Sequence, residues 1–399
     1  MPWTWRGPYL SSNSRYLRLA PAVHLKVLEK PCAYNRVSDD LYELSEEALD
    51  FLNRCDGTRA AAELQPEAGF LAYCLEEGVL EELERPRRRA LAVAHNEIPS
   101  LRYLMVEVTD RCNLRCRHCY LGEAGSRDLD WDILEQILDD FDELGGLRLM
   151  ITGGEPLLYP HFEALNRELR NRSFRAVVIT NGTLMEGLDL KKLNFQEIQF
   201  SLDGLEAGHD YLRGKGTFRR VVEVMRAALR EGIDVSVATV MHARNLGELE
   251  GLGEMLFEMN VSAWTLEFPV PSGRMGDNQE LMPSLEEALP FFDLEWGWGA
   301  HEGAEGYACG AHLAGVDPGG KLVKCGYYRD ITGGEVSRGL RGAWLDLPKM
   351  KPEGACAACE VLADCGGGCR YRAELLAGSG GPDPVMCARM GKARPEIDT

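Results

Sequence analysis

No apolar run in this chain approaches the roughly 18 to 20 residues that would span a bilayer, so a helical membrane protein is excluded. The opening stretch MPWTWRGPYL has no basic flank, apolar core or small-residue cleavage site of a secretory signal, and a cytoplasmic, reducing setting is expected. Positive charge is scarce as well. Lys and Arg total 44 against 63 Asp and Glu, a formal charge of -19 that repels a phosphate backbone and argues against nucleic acid as partner. The same acidity suits a basic peptide partner or ordinary solubility equally. What the chain has in plenty is cysteine: 13 in 399 residues, ten of them in two tight groups. In a reducing compartment disulfides are disfavoured, and such spacing points to metal. A chain of this length accommodates one large α/β domain with one or two smaller modules.

Residues 1–85 read as a small winged-helix-like module. A strand is expected over 23–28, another over 39–44, and an amphipathic helix over 46–54 carrying Ala48, Leu49 and Leu52. The turn CDGT at 55–58 then supplies a cap for a helix through Ala62, and a last helix runs over 68–77 into Gly78. Residues 86–100 mix charge and proline and read as a linker. From 101 to 283, six short apolar strands starting near 103, 148, 176, 198, 235 and 263 alternate with amphipathic helices such as 131–144, 161–170 and 218–231. That alternation predicts a parallel sheet curled into a partial (β/α)6 TIM-type barrel, with its active site at the C-terminal strand ends. Beyond Ser284 the repeat is lost, and residues 284–399 are expected to form a metal-stapled domain with a thin apolar core.

Directly after the first barrel strand stands TDRCNLRCRHCY, which places Cys112, Cys116 and Cys119 in a C-x3-C-x2-C loop. Three thiolates hold three irons of a 4Fe-4S cube and leave the fourth free for a small molecule. A zinc site would usually want a fourth ligand at customary spacing, which His118, inside the motif, does not offer. The loop resembles the cluster motif of the radical S-adenosylmethionine (SAM) superfamily over about residues 101–271, with His118 where the family has an aromatic residue that lies near the adenine. By that resemblance GGEP (Gly153, Gly154, Glu155, Pro156) follows the second strand as the family's motif for the methionyl amine. Ser201 and Arg213 become candidates for the SAM carboxylate, and Asp203 for the same neighbourhood. Asn181 and Glu267 stand at strand ends that face the same cavity. No catalytic acid or base stands out. The resemblance implies a 5′-deoxyadenosyl radical that removes hydrogen from an unactivated carbon, with a flavodoxin or ferredoxin as electron donor.

The second group runs Cys309, Gly320, Cys325, Cys356-x2-Cys359-x5-Cys365-x3-Cys369 and Cys387. It resembles the SPASM extension of peptide- and protein-modifying radical SAM enzymes, where a zinc ribbon is the bland alternative. Ligation carried over from that family assigns Cys309, Cys325 and Cys369 to auxiliary 4Fe-4S cluster I. It gives Cys356, Cys359, Cys365 and Cys387 to auxiliary cluster II, making three 4Fe-4S clusters in all. The chain departs from the fullest pattern: no cysteine stands shortly before Cys309, so cluster I has an open iron or a ligand among His301, Glu302, Glu305 and His312. Cys32, Cys55 and Cys74 lack ligand spacing and are expected in a core.

The front stretch, RLAPAVHLKVLEKPCAYNRVSDDLYELSEEALDFLNRCDGT, resembles the peptide-binding RiPP recognition element, related to the small peptide chaperone of pyrroloquinoline quinone assembly. In that family a precursor's leader adds as a strand beside the wing. The expected function is therefore the maturation of a ribosomally made peptide, with a thioether or carbon–carbon crosslink as product. The alternatives are maturation of another protein or of a metal or haem cofactor, sulfatase-type formylglycine formation included, and a non-catalytic electron carrier or peptide scaffold.

Overall fold

The computed structural model describes residues 15–297, 311–378 and 380–392. The chain divides into two compact units, Met1–Ile98 and Pro99–Thr399. Among the described residues no helix is long and apolar enough to cross a membrane.

In the first unit the elements are β1 (Tyr16–Leu19), β2 (Val23–Val27), β3 (Pro31–Asn35), β4 (Leu41–Glu43) and α1 (Glu46–Asn53). They continue with β5 (Asp56–Ala60), α2 (Ala61–Leu64), α3 (Ala68–Glu76), β6 (Leu80–Leu83) and β7 (Val93–His95). They form two small sheets, ordered β5-β1-β6 and β4-β3-β2-β7. Alternation along β1 to β3 sends Leu17, Leu19, Val23, Leu25 and Ala33 into one core, closed by Leu52 of α1. Ser45 starts α1 by accepting the Ala48 N–H, with Glu46 and Glu47 in the first turn where the helix dipole favours them. Cys32, Cys55 and Cys74 are buried, and burial pushes the thiols of Cys55 and Cys74 up to about 12 and about 11. They are small core residues.

Two expectations change here. The stretch after Cys55 is a strand, not a turn and cap: Thr58 donates to Asp56 through both its N–H and its hydroxyl, and β5 pairs with β1. The helix begins only at Ala61. The stretch read as a linker is also structured, since β7 pairs in parallel with β2 and Arg89 donates to the carbonyls of Leu19, Ala20 and Val23.

The second unit opens with β8 (Tyr103–Thr109), α4 (Trp131–Glu143), β9 (Arg148–Gly153), α5 (Phe162–Glu168), β10 (Arg175–Thr180) and β11 (Glu197–Ser201). Next come α6 (Glu206–Arg213), α7 (Thr217–Arg230), β12 (Asp234–Val240), α8 (Leu249–Glu258) and β13 (Ala263–Glu267). These six strands lie in chain order, parallel throughout. They read as near-continuous apolar runs because helices cover the sheet. In α4, Leu134, Ile137, Leu138 and Phe141 recur at helical spacing and are all buried, with Asp130 capping the first turn.

After the short helices α9 (Arg274–Asp277) and α10 (Leu285–Ala288), the chain returns to the sheet with β14 (Leu313–Val316), β15 (Lys321–Val323) and β16 (Thr332–Glu335). β14 pairs in parallel with β8, and β15 and β16 follow antiparallel, so the sheet has nine strands among the described residues. With α11 (Leu340–Asp346) this segment puts Val316, Leu322, Val336, Leu340 and Trp344 into the barrel's own core. The expectation of a thin core beyond Ser284 is corrected on this point, for residues 313–347 contribute strands and side chains to the barrel's sheet and core. Beyond it, the described residues form the short helices α12 (Gly354–Ala357), α13 (Leu362–Cys365), α14 (Arg370–Ala377) and α15 (Pro384–Arg389).

Candidate active site

The loop bearing Cys112, Cys116 and Cys119 leaves the C-terminal end of β8 and is clamped from below by the turn after β9. Gly154 donates its N–H to Thr109 O and Glu155 to Arg111 O, both at 2.8 Å. A Cβ on Gly153 would lie 2.2 Å from Thr109 O, and one on Gly154 would lie 2.3 Å from Arg111 O. Gly153 also has φ +150. The two glycines therefore serve backbone-to-backbone packing under the cysteine loop. Each of Cys112 and Cys116 senses the charge of its loop neighbours, Cys112 that of Cys119 and Cys116 that of both others. The Leu114 N–H points at Cys112 Sγ (3.4 Å). Burial pushes Cys116 up to about 11 and raises Cys112 too, so these thiols ionise readily only next to cations.

Several residues named as SAM contacts have side chains already satisfied by protein partners. Glu155, with no exposed surface, accepts from the Thr180 hydroxyl and the N–H groups of Asn181 and Leu157, and burial pushes it up to about 7. Asn181 donates to Asn113 Oδ1 (3.0 Å) and accepts from Thr183, which ties the end of β10 to the cysteine loop. Asp203 is fully buried, pairs with Arg213 and accepts from the Val240 N–H. Burial works to raise its carboxyl, but the paired Arg213 guanidinium outweighs burial and holds it well below the usual range. These three position loops and the Arg213 guanidinium. Pro156, buried, starts the single turn 156–158 that Glu155 caps.

Arg213 also approaches His118 Nε2 (3.2 Å), while His118 Nδ1 is buried with no hydrogen-bond partner. Burial, with Arg213 close by, lowers His118 to about 3, leaving a neutral ring beside the cysteines. Ser201 ends β11, half-buried. Glu267 ends β13 with an exposed side chain, yet the surrounding protein raises its pKa against the pull of Arg372. Sequence reasoning missed His209 and His242, two further buried imidazoles around Asp203 that each leave Nε2 unpartnered.

The remaining described thiols fall into two groups. Cys369 senses Cys325, whose Sγ receives the Tyr328 N–H at 3.4 Å. Cys387 senses Cys356, Cys365 and Cys359, and the Gly367 N–H points at Cys365 Sγ (3.3 Å). Asp383 joins the two groups: it accepts from the Cys369 N–H, pairs with Arg372, and caps the helix that carries Cys387. The dipeptide Asp383-Pro384 before Val385 was the available signal for that cap. Cys309, His301, Glu302 and Glu305 lie outside the described residues. His312 turns Nδ1 to Ser100 (2.8 Å to its carbonyl oxygen), just before β8, so that nitrogen is engaged.

Tyrosines fill the space between the first loop and Cys325. Tyr120 meets Tyr327 with centroids 4.8 Å apart, Tyr327 stacks on Tyr371 at 5.2 Å, and Tyr371 donates to Ser272. A Cβ on Gly326 would reach 3.0 Å from the Tyr120 hydroxyl, so glycine allows that approach. Among the described residues no three His, Cys, Asp or Glu donors converge as one metal ion needs. A cube is larger than one ion and takes its thiolates further apart. Soft thiol donors on one loop and the unpartnered His118 Nδ1 beside Arg213 together suit such a cube with a polar ligand at its open side.

In the first unit, β4 is an edge strand. Beside it a cavity of about 340 Å³ is lined by residues that include Tyr42, Leu44, Leu52, Phe70 and Tyr73.

Comparison with known proteins adds the following. The model of the radical SAM superfamily matches residues 106–256. An AdoMet-dependent heme synthase of Oleidesulfovibrio alaskensis is 24% identical over 356 residues, 75% of this chain and 90% of that one. The antilisterial bacteriocin subtilosin biosynthesis protein AlbA of Bacillus subtilis is 28% identical over 286 residues, covering 65% of this chain and 64% of AlbA. The crystal structure of Streptococcus suis SuiB bound to precursor peptide SuiA shares the fold over 96% of this chain and 99% of that one, with a TM-score of 0.64 at 14% identity.

Proposed function

We propose that this chain, a radical SAM enzyme of SPASM-type architecture, takes hydrogen from a residue of a ribosomally made peptide and so leads to a thioether or carbon–carbon crosslink. A radical SAM enzyme works with a 4Fe-4S cluster and SAM, and in this reading Cys112, Cys116 and Cys119 hold that cluster. Bound there, the pair supplies a 5′-deoxyadenosyl radical that abstracts hydrogen from substrate. The chain's own residues do the rest. Gly153 and Gly154 bring the backbone of the turn close to the loop, and Ser201 and Arg213 take the SAM carboxylate. Glu155, Asn181 and Asp203 hold those groups in place, and Glu267 faces the substrate from the cavity wall. The tyrosine stack around Tyr327 keeps water from the space between the cysteine groups. Cys309, Cys325 and Cys369, and separately Cys356, Cys359, Cys365 and Cys387, hold two auxiliary clusters. The setting is the cytoplasm, with a flavodoxin or ferredoxin as donor.

The observation that carries the peptide reading is the union, in one chain, of the three-thiol loop with a front unit in which β4, among the described residues, is an edge strand beside a cavity with a mainly apolar lining. A leader peptide adds to β4 by main-chain pairing and sets apolar side chains in that cavity. A second reading, tailoring of a haem precursor, is favoured by the heme synthase relative that covers three quarters of this chain.

Anaerobic reconstitution tests the core of the proposal. About twelve irons per chain are expected, since each of three cubes holds four, together with 5′-deoxyadenosine from SAM and dithionite. Joint replacement of Cys112, Cys116 and Cys119 by Ala removes about four irons and all of the 5′-deoxyadenosine. Co-expression with a short neighbouring open reading frame should lower the peptide's mass by two hydrogens per crosslink. A porphyrin consumed in place of any peptide establishes the second reading.

A further inference from the structure

Two acids at the C-terminal strand ends are spent on protein partners, Glu155 on Thr180 and Asn181, and Asp203 on Arg213. Glu267 is not. At the end of β13 its side chain is exposed, and among the described residues it accepts no hydrogen bond and joins no ion pair. Burial nevertheless raises its pKa; Arg372 opposes the rise, and Asp203 and Glu295 add to it. An exposed carboxyl that protein still crowds stands in a recess, not on an outer face. The charges that act on it are already balanced. Arg372 grips Asp383 through two nitrogens, Arg389 pairs with Glu295, and Arg213 pairs with Asp203. Among these groups the charge of Glu267 is the one left over. Beside it stands a second acceptor. Tyr327 senses the Glu267 charge, and among the described residues its hydroxyl has no hydrogen-bond partner. Tyr120 and Tyr371 flank the Tyr327 ring, with centroids 4.8 and 5.2 Å away.

The register places this recess. Glu267 stands opposite Val240 in the pairing of β12 with β13, and the Val240 N–H goes to Asp203, whose carboxylate holds Arg213. On the other side Tyr327 senses Cys369 and Cys325. The recess therefore lies between the guanidinium assigned above to the SAM carboxylate and the second cysteine group. We propose that Glu267 and the Tyr327 hydroxyl form a subsite for a cationic side chain, Lys or Arg, of the peptide being modified. The proposal rests on the peptide reading above. The carboxylate takes the charge as an ion pair, and the neutral phenol oxygen accepts one further N–H. The neighbouring tyrosine rings offer apolar surface to the aliphatic stem. Only binding is involved, and no bond forms or breaks. An uncharged side chain of equal length leaves the crowded carboxylate with nothing to offset it, and that penalty is the source of discrimination. The formal charge of -19 draws a basic peptide to the chain, but only a fixed recess chooses among its residues.

The test reads binding without turnover, on the anaerobically reconstituted full chain with SAM present. The probes are capped tripeptides in which Lys, Arg, norleucine or Glu stands between two alanines, and affinity is taken from saturation-transfer NMR titrations. The wild type is expected to bind the Lys or the Arg peptide about tenfold more tightly than the norleucine peptide, the gain of one partly screened ion pair with a charged hydrogen bond. Which of the two leads tells an ammonium site from a guanidinium site, and either supports the subsite. Glu267→Gln abolishes the preference, Glu267→Asp keeps most of it, and Glu267→Lys turns it toward the Glu peptide. That reversal is a result that damaged folding cannot produce. Tyr327→Phe, which keeps the ring stack, reduces the preference about threefold. Equal binding of the Lys, Arg and norleucine peptides by the wild type, undetectable binding included, overturns the proposal. So does a preference that survives Glu267→Gln; if SAM affinity falls in that variant instead, the carboxylate serves the cofactor. Failure of the wild type to form 5′-deoxyadenosine from SAM and dithionite strikes the cluster reading, and is separable because the peptide preference needs no turnover.

Discussion

At the scale of single residues, burial decides which groups carry charge around the cysteine loop. His209 is fully buried, accepts the Asp203 N–H on Nδ1 at 3.1 Å, and is lowered to about 4 chiefly by burial. Its folded pKa is depressed, so the stability it contributes is whole above the unfolded value near 6.5 and is lost as pH falls toward 4. Between pH 7 and pH 5 that loss is about 2 kcal/mol. His209→Asn keeps an acceptor for the Asp203 N–H and has nothing to protonate, so its melting temperature should fall less than wild type over that interval. Parallel melting curves for the two proteins from pH 7 to pH 5 would show that His209 is not the titrating group. The grouping of the cysteines was legible because spacing within a loop is local in the sequence, and the cluster ligation proposed for them rests on that spacing. Glu155, Asn181 and Asp203 were legible as residues near the cavity but not as residues whose side chains are spent on Thr180, Asn113 and Arg213. Hydrogen-bond partners brought together by different strands leave no mark on a single stretch of sequence.

Between elements, the pair Glu107–Arg329 shows how the returning segment is fixed to the barrel. Glu107 lies in β8 with 4% exposure, and Arg329, from the loop after β15, grips both its oxygens at 2.5 and 2.6 Å. Burial raises the Glu107 pKa and Arg329 opposes that rise. Arg329→Met strands a buried carboxylate and should cost about 3 kcal/mol, at the low end for such pairs because Arg329 keeps some solvent contact. Adding Glu107→Gln should recover more than half of that cost. A urea-unfolding cycle over the wild type, the two single variants and the double variant measures it, and additive losses would show that the pair does not couple. The same junction explains what the sequence concealed. Helices α4 and α7 announce themselves through long apolar periods, and the first six barrel strands through apolar runs. β14, β15 and β16 have three or four residues each, too short for any period, and they become strands because the open edge of β8 needs partners.

For the molecule as a whole, the division at Ile98 and Pro99 separates two kinds of work in the proposed function. The first unit closes its own core and both its sheets within its own residues, β7 included. The second unit holds every described cysteine of the two groups. If leader capture belongs to the first and radical chemistry to the second, removing residues 1–98 should leave dithionite-driven 5′-deoxyadenosine formation within threefold of wild type. The KM for a precursor carrying its leader should meanwhile rise at least tenfold, which corresponds to about 1.4 kcal/mol of lost anchoring. A peptide cut back to its core should be processed equally, and poorly, by both proteins, because neither then has an anchor. An unchanged KM for the full precursor would place leader recognition on the second unit. A collapse of SAM cleavage would mean that the barrel relies on the first unit to fold, which circular dichroism of the truncated chain distinguishes from a failure of the chemistry.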